Sequence, residues 1–171
     1  MDDPEIRRRR DDDDLKACVE ALATVYEADR YPARWPDDPA GWLTPEGLLC
    51  AWAAWDAGCV LGHVALTRTD HAMAAEAGLP PDELVTLSRL FATASARRGG
   101  VATALLATAV AAATADGLRP VLEVEDGGAA AVRLYERAGW RLVSSREGDW
   151  TTADGRTALL HTYIAPAGTA R

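Results

Sequence analysis

Residues Leu84–Ala92 (LVTLSRLFA) favour a strand, residues 101–116 read as an alanine-rich helix, and close to their junction stands Arg97-Arg98-Gly99-Gly100. A strand that hands over to a helix through a glycine pair restricts the chain to folds with layered strands and helices. The helix is carried by apolar residues recurring at Val101, Leu105, Ala109 and Ala112 and at Leu106, Val110 and Ala113, and Gly117 stands where a helix commonly stops. At its start the first backbone N–H groups have no partner inside the helix and carry the positive end of its dipole. A phosphate placed there gains hydrogen bonds and a favourable field, and glycine lets it approach. The common nucleotide loops do not fit, because no Gly-Lys-Ser/Thr ends the segment and no G-x-G-x-x-G follows the strand. Taken alone, an ordinary tight turn explains the glycine pair, and the rest of the chain has to decide.

A chain of 171 residues suits one domain spanning residues 1–171, able to bury roughly two thirds of the surface its unfolded form exposes. Its core is expected over about 6–164, with a frayed tail over 165–171 that has little to bury. The longest weakly apolar run, 102–115, is alanine and threonine and falls short of the ~20 residues that span a bilayer, so no membrane partner is expected. Met1-Asp2-Asp3-Pro4 opens the chain without an apolar signal core, and Cys18, Cys50 and Cys59 read as reduced core thiols, which together predict a cytoplasmic protein. None of these cysteines is spaced from another, or from His63, His71 or His161, as metal ligands usually are, and no metal is expected. A net charge of -8 with one lysine, Lys16, argues against a nucleic-acid partner. The run Arg7 to Arg10 is followed at once by Asp11 to Asp14 and reads as the alternating solvent face of an edge strand. The acidic surface attracts a cationic amine and repels a polyanion, so an anion at the glycine loop needs Arg97 and Arg98 to reverse the field locally.

Along the chain, residues 6–10 predict a first strand, and Asp12 to Asp14 supply capping oxygens for a helix with Leu15, Cys18, Val19, Leu22, Val25 and Tyr26 on one side. Residues 31–45 are rich in proline and tryptophan, which excludes a long helix, although Asp38-Pro39 can start a short one. Residues 47–55 and 59–67 form two strand-like runs around Asp56-Ala57-Gly58, a hairpin signal. Residues 71–81 read as a loop or short helix. Beyond the central helix come a strand at 120–125, a helix at 129–138, and strands at 140–145 and Thr157–Ile164 joined by a turn at Asp154-Gly155.

Two blocks give this order a family likeness. In R-x-x-G-x-A, Arg97, Gly100 and Ala102 stand in register, and this resembles the coenzyme A loop of the GNAT acetyltransferase superfamily, written Q/R-x-x-G-x-G/A. After Pro120-Val121-Leu122-Glu123-Val124, the segment Ala129-Ala130-Ala131-Val132-Arg133-Leu134-Tyr135-Glu136-Arg137-Ala138-Gly139-Trp140 is similar to the family's A-x-x-L-Y-E-x-x-G-F/W. The resemblance covers roughly 6–164 and is strongest over 84–140. It implies an α/β (α+β) fold: a mixed, mostly antiparallel central sheet of about six to seven strands, flanked by helices on both faces and splayed at the cofactor site. It further implies acetyl-CoA as co-substrate without a metal, acetyl transfer to a primary amine by direct attack in a ternary complex, and it admits a homodimer.

By the same resemblance Arg97, Arg98, Gly99, Gly100, Val101, Ala102 and Thr103 hold the pyrophosphate, and Leu90, Phe91 and Ala92 line the cofactor arm. The N–H of Leu90 polarises the acetyl carbonyl and Ala92 holds pantetheine. Such a backbone donor is worth ~3 kcal/mol in the transition state. Tyr135 matches the family tyrosine that protonates the departing thiolate, a task suited to a phenol with an ordinary pKa of ~10. Its plain alternative is packing with Ala131, Leu134 and Ala138 on one helix face.

The general base is not assigned. Where several relatives carry a glutamate, eleven residues ahead of the loop, this chain has Thr86, and Glu83, Ser88, Glu123, Glu125 and His63 each also have an ordinary structural explanation. Proton removal through ordered water needs none of them. Gly128 departs from the asparagine that many members place before the last helix. Trp35, Trp42, Trp52 and Trp55 cluster where the superfamily usually forms its acceptor site; Trp35 and Trp42, in the proline-rich segment, can wall a cleft for an amine. A small cationic acceptor is preferred on charge grounds, and the departures at Thr86 and Gly128 keep open an alternative function, a non-catalytic acyl-CoA sensor or interaction module.

Overall fold

The computed structural model describes residues 3–152 and 154–168. Met1 and Asp2, on which part of the N-terminal reading falls, and residues 169–171 of the expected tail lie outside the described residues. Among the described residues the strands make one seven-stranded sheet in the order β1-β2-β3-β4-β5-β7-β6, mostly antiparallel, with five α-helices flanking it. Two compact units form within the chain: Met1–Thr67 with Leu87–Ala111, and Arg68–Thr86 with Ala112–Arg171.

In the first unit β1 (Glu5–Arg8) pairs antiparallel with β2 (Leu48–Asp56), and β2 with β3 (Cys59–Arg68). The β2–β3 hairpin closes on Ala57 (φ 48°) and Gly58 (φ 80°), the two left-handed residues that a tight turn matching strand twist demands. Helix α1 (Asp12–Asp29) is capped by Asp11, whose side chain accepts from the Asp14 N–H at 2.9 Å. The expected capping group Asp14 is instead buried and accepts both Arg7 guanidinium nitrogens at 2.6 and 2.9 Å. This pairing holds the Asp14 carboxyl below its usual range. The arginine run is therefore more than a solvent face. Arg8 and Arg10 are exposed, but Arg7 also lies over Trp55 at 4.4 Å, and Arg9 reaches inward. Asp38 caps α2 (Pro39–Trp42) through the Gly41 N–H at 3.0 Å, with Pro39 in the first turn. One apolar face of α1 (Cys18, Ala21, Leu22, Val25) forms a core with Leu43, Ala53, Val60 and Phe91.

Strand β4 (Leu84–Ala92) runs through both units, and helix α4 (Val101–Ala115) begins in the first. In the second unit the segment expected as a loop or short helix contains α3 (His71–Ala77), capped by Asp70 and closed by Gly78 at φ 73°. The start of β4 pairs parallel with β5 (Arg119–Glu125) over Leu84↔Arg119, Val85↔Pro120 and Thr86↔Val121, and among the described residues the ladder ends there, although both strands continue. Helix α5 (Ala129–Arg137) follows, then β6 (Arg141–Thr151) and β7 (Thr157–Ile164). Strand β6 outruns its expected end at 145 because pairing with β7 extends to Thr151↔Thr157.

Two other expectations need correction. Ala165 does not fray: it is fully buried, its N–H donates to Pro120 O at 2.9 Å, and its carbonyl accepts from Arg119 Nε at 2.8 Å. Of the supposed core thiols only Cys18 is buried, since Cys50 is intermediate and Cys59, beside the hairpin turn, is exposed. Among the described residues no helix is long and apolar enough to cross a membrane.

Candidate active site

The glycine junction is built from three local choices. Thr93 ends β4 by donating its N–H to Leu61 O at 2.9 Å, a single 3-10 turn over Ala94–Ala96 redirects the chain, and Arg98 (φ 65°) and Gly100 (φ 75°) take left-handed backbone before α4. The first N–H of α4 with an acceptor in the helix's own pattern is that of Ala104, which donates to Gly100 O at 2.9 Å. The N–H groups of Val101, Ala102 and Thr103 lie ahead of that ladder at the positive end of the helix. A Cβ built on Gly100 meets nothing within 4 Å, so the space beside it is open. These features fit a phosphate group. Gly99 plays a different part: its N–H turns inward to Ala96 O at 3.3 Å, and a Cβ there would press on the same carbonyl.

Both expected guanidinium groups are at the junction. Arg98 is exposed, whereas Arg97 forms an ion pair with Asp29, the last residue of α1. Both partners of that pair keep much of their side chain in solvent.

Just upstream, β4 departs from regular strand geometry at a position the sequence did not mark. Arg89 has φ 55°, a left-handed conformation that costs a non-glycine residue about 1–2 kcal/mol. Its side chain is tethered through Nε to Trp42 O at 2.9 Å and lies over the Trp42 ring at 4.1 Å. Its carbonyl accepts from His63 Nδ1 at 3.0 Å. Leu90 and Ala92 follow half-buried, and Phe91 is buried and stacks on His63 with ring centroids 5.5 Å apart. Gly62 on β3 brings α4 close to this strand, since a Cβ there would lie 2.8 Å from Phe91 O, 2.8 Å from Leu105 Cδ1 and 2.9 Å from Val101 Cγ1. The hydroxyl of Ser88 is buried and has no hydrogen-bond partner among the described residues. A ligand amide could supply the bond it lacks.

Trp35 and Trp42 both pack partly buried against the first unit's core, Trp35 on Tyr26 and Trp42 edge-on to Tyr31. One face of Trp42 is occupied by the Arg89 guanidinium. Burial pushes the Tyr31 phenol up to about 12, which keeps it neutral.

The second unit holds Tyr135, buried on α5 with Trp140 at 5.6 Å and Tyr163 at 6.5 Å between ring centroids. The fold brings the Tyr163 ring, on β7, beside it. Thr86, which stands where several relatives carry a glutamate, hydrogen-bonds through Oγ1 to Thr69 Oγ1 at 3.0 Å. Of the candidate bases, Glu123 pairs with Arg146 at 2.8 Å. In the first unit the Nε2 lone pair of His63 faces Arg9 at 3.1 Å. Sequence reasoning also missed a chain on β6, β7 and the turn after β5, in which His161 joins Ser145 Oγ at 2.8 Å to Asp126 at 2.9 Å. No spacing announces it, because strand pairing alone sets Ser145 opposite His161. Among the described residues no cluster of His, Cys, Asp or Glu could hold a metal ion.

The model of the acetyltransferase (GNAT) family matches residues 15–140. No curated protein matches the chain significantly. Among solved structures, the ribosomal-protein-S18-alanine N-acetyltransferase from Escherichia coli is 20% identical, with 98% of each chain covered and a TM-score of 0.69. A GCN5-related N-acetyltransferase from Kribbella flavida is 23% identical, covering 96% of this chain and 98% of that one, at a TM-score of 0.70. Arabidopsis thaliana NAA60 in complex with acetyl-CoA is 17% identical, covering 94% and 97%, at a TM-score of 0.72. At these identities the structures establish a shared fold.

Proposed function

The chain belongs to the acetyltransferase (GNAT) family, and on that premise we propose that it transfers an acetyl group from acetyl-CoA to a primary amine by direct attack in a ternary complex. The observation that carries this reading is the junction before α4, where Gly100 opens the backbone and the amides of Val101, Ala102 and Thr103 precede the helix ladder. Those amides hold the pyrophosphate, with Arg98 beside them and Arg97 exchanging its Asp29 partner for phosphate oxygens. Gly99 shapes the turn. Main-chain groups of Phe91 and Ala92 hold the pantetheine arm, and the ladder between β4 and β5, which ends after three pairs, is consistent with that use.

Acetyl-CoA supplies the activated acyl group as a thioester. The N–H of Leu90 stabilises negative charge developing on the acetyl oxygen as the amine nitrogen forms its bond to the carbonyl carbon and the C–S bond breaks. Tyr135 gives its proton to the departing thiolate, and the amine's proton passes to water. His63 does not act as the base, because its one lone pair is committed to Arg9. Trp35 and Trp42 flank the acceptor, and Arg89 over Trp42 disfavours a cation in contact with that ring face, whatever the overall acidity favours at long range.

Thiol release from acetyl-CoA, followed with a panel of small amines, amino acids and peptide N-termini, tests this reading. Release that depends on the amine is expected. Tight binding of acetyl-CoA with no release for any amine would overturn it in favour of a binding module.

A further inference from the structure

The peptide joining Arg89 to Leu90 carries both a pinned carbonyl and the N–H to which the proposed function gives the acetyl oxygen. Arg9 Nη1, which can only donate, lies 3.1 Å from His63 Nε2, so Nε2 carries the lone pair. The single ring proton therefore sits on Nδ1 and donates to Arg89 O at 3.0 Å. His63 is fully buried, and its ring lies flat against Phe91 with 14° between planes, so it has little freedom to turn away. In a planar trans peptide the C=O and N–H point in opposite directions. A carbonyl held toward His63 on β3 thus aims the Leu90 N–H away from β3. The same peptide follows the left-handed Arg89, whose conformation persists only where its surroundings hold it.

From this we propose that His63 is a positioning residue for acetyl transfer: its Nδ1–H fixes the Arg89–Leu90 peptide plane so that the Leu90 N–H is preset for the acetyl oxygen. The proposal rests on the function proposed above. It assigns His63 no proton transfer and no contact with substrate. Arg9, itself anchored to Leu43 O at 2.7 Å and Thr44 Oγ1 at 2.9 Å, sets the tautomer. A donor preset in this way needs no reorganisation as charge develops, which is the source of its effect on rate.

The test uses His63→Leu, which removes the donor, His63→Asn, whose amide can donate from nearly the Nδ1 position, and Ile164→Ala as a control for lost stability. Three measurements are made: the carbonyl stretch of bound acetyl-CoA labelled with carbon-13 at the acetyl carbonyl, the steady-state constants, and the imidazole nitrogen-15 shifts of ligand-free protein. His63→Leu should move the carbonyl band toward its position in solution and lower kcat about 10- to 100-fold, with the KM for acetyl-CoA changed less than about threefold. His63→Asn should recover most of both effects. An unmoved band, or a kcat loss matched by Ile164→Ala at equal thermal stability, overturns the proposal. Should His63→Leu fail to fold, His63→Asn and the wild-type nitrogen-15 shifts still decide, since an Nε2–H tautomer excludes the pinned carbonyl. Wild-type protein that binds acetyl-CoA with a shifted band yet acetylates no amine would refute the enzyme reading while leaving the His63 link standing; wild-type protein that does not bind it refutes both.

Discussion

Asp29, the last residue of α1, is ion-paired with Arg97 at the entrance to the glycine junction. At the proposed pyrophosphate site the pair would compete with phosphate for the same guanidinium, and its carboxylate adds negative charge there. Exposed ion pairs contribute little, about 0–1 kcal/mol, so the competition is modest. Asp29→Asn should therefore tighten coenzyme A binding by about two- to fivefold at low salt, with less gain as ionic strength rises. Calorimetric titration at two salt concentrations checks this, and weaker binding would show that Asp29 organises the site rather than competing with the ligand.

Gly62 admits no side chain without moving Phe91 O, Leu105 or Val101. Two of those atoms belong to α4, whose first turn is the proposed phosphate site. Gly62→Ala should lower stability by about 1–3 kcal/mol through overpacking and weaken coenzyme A binding in addition. Chemical denaturation and binding measured on the same variant separate the two effects. A loss of stability with unchanged affinity would mean that the strain is absorbed away from the helix start.

Tyr135 packs among Trp140 and Tyr163, and phenylalanine preserves that packing. If the phenol protonates the thiolate, Tyr135→Phe should reduce kcat about 100-fold and leave the dissociation constant for coenzyme A nearly unchanged. Stopped-flow thiol release and equilibrium titration report these separately. An unaltered kcat would make Tyr135 a packing residue.

His63 also predicts how stability responds to acid. Burial pushes its pKa down to about 4 from 6.5, with Arg9 and Arg89 adding repulsion and the Arg89 carbonyl opposing the shift. A group whose folded pKa is depressed contributes stability that is complete above the unfolded pKa and is lost as pH falls toward the folded one. Between pH 6.5 and about 4 the wild-type protein should lose on the order of 3 kcal/mol from this residue. Urea unfolding across that range should show a smaller loss in His63→Asn, which has no titrating ring. Equal losses in the two proteins would place the acid sensitivity elsewhere.

Local chemistry left a clear imprint on the sequence. Leu84–Ala92 and Thr157–Ile164 are strands over the expected residues because runs of β-favouring side chains declare themselves. The helix at 101 was readable from its period and its glycines, and Asp38-Pro39 did start a short helix. Ala57-Gly58 makes its turn because glycine, and here alanine beside it, accepts left-handed backbone at the end of a hairpin. What escaped was set by partners distant in the chain. Arg7 and Arg9 look alike in a run of four, yet one meets Asp14 and the other Leu43, Thr44 and His63. Ala165 looks like the start of a tail, but Pro120 and Arg119 hold it.

The sequence by itself determined the run of strands and helices and the glycine turn ahead of the helix at 101, because strand propensity, helical period and turn glycines follow from residue type at short spacing, and two motif blocks resemble those of the GNAT superfamily. Only the tertiary structure decided that Arg89 is left-handed in mid-strand and that His63 holds its carbonyl. No local preference asks an arginine to adopt that backbone or tells a histidine which nitrogen carries its proton. Both are imposed by groups 26 and more residues away, because a strained peptide and a single tautomer persist only where packing and hydrogen bonds converge on them.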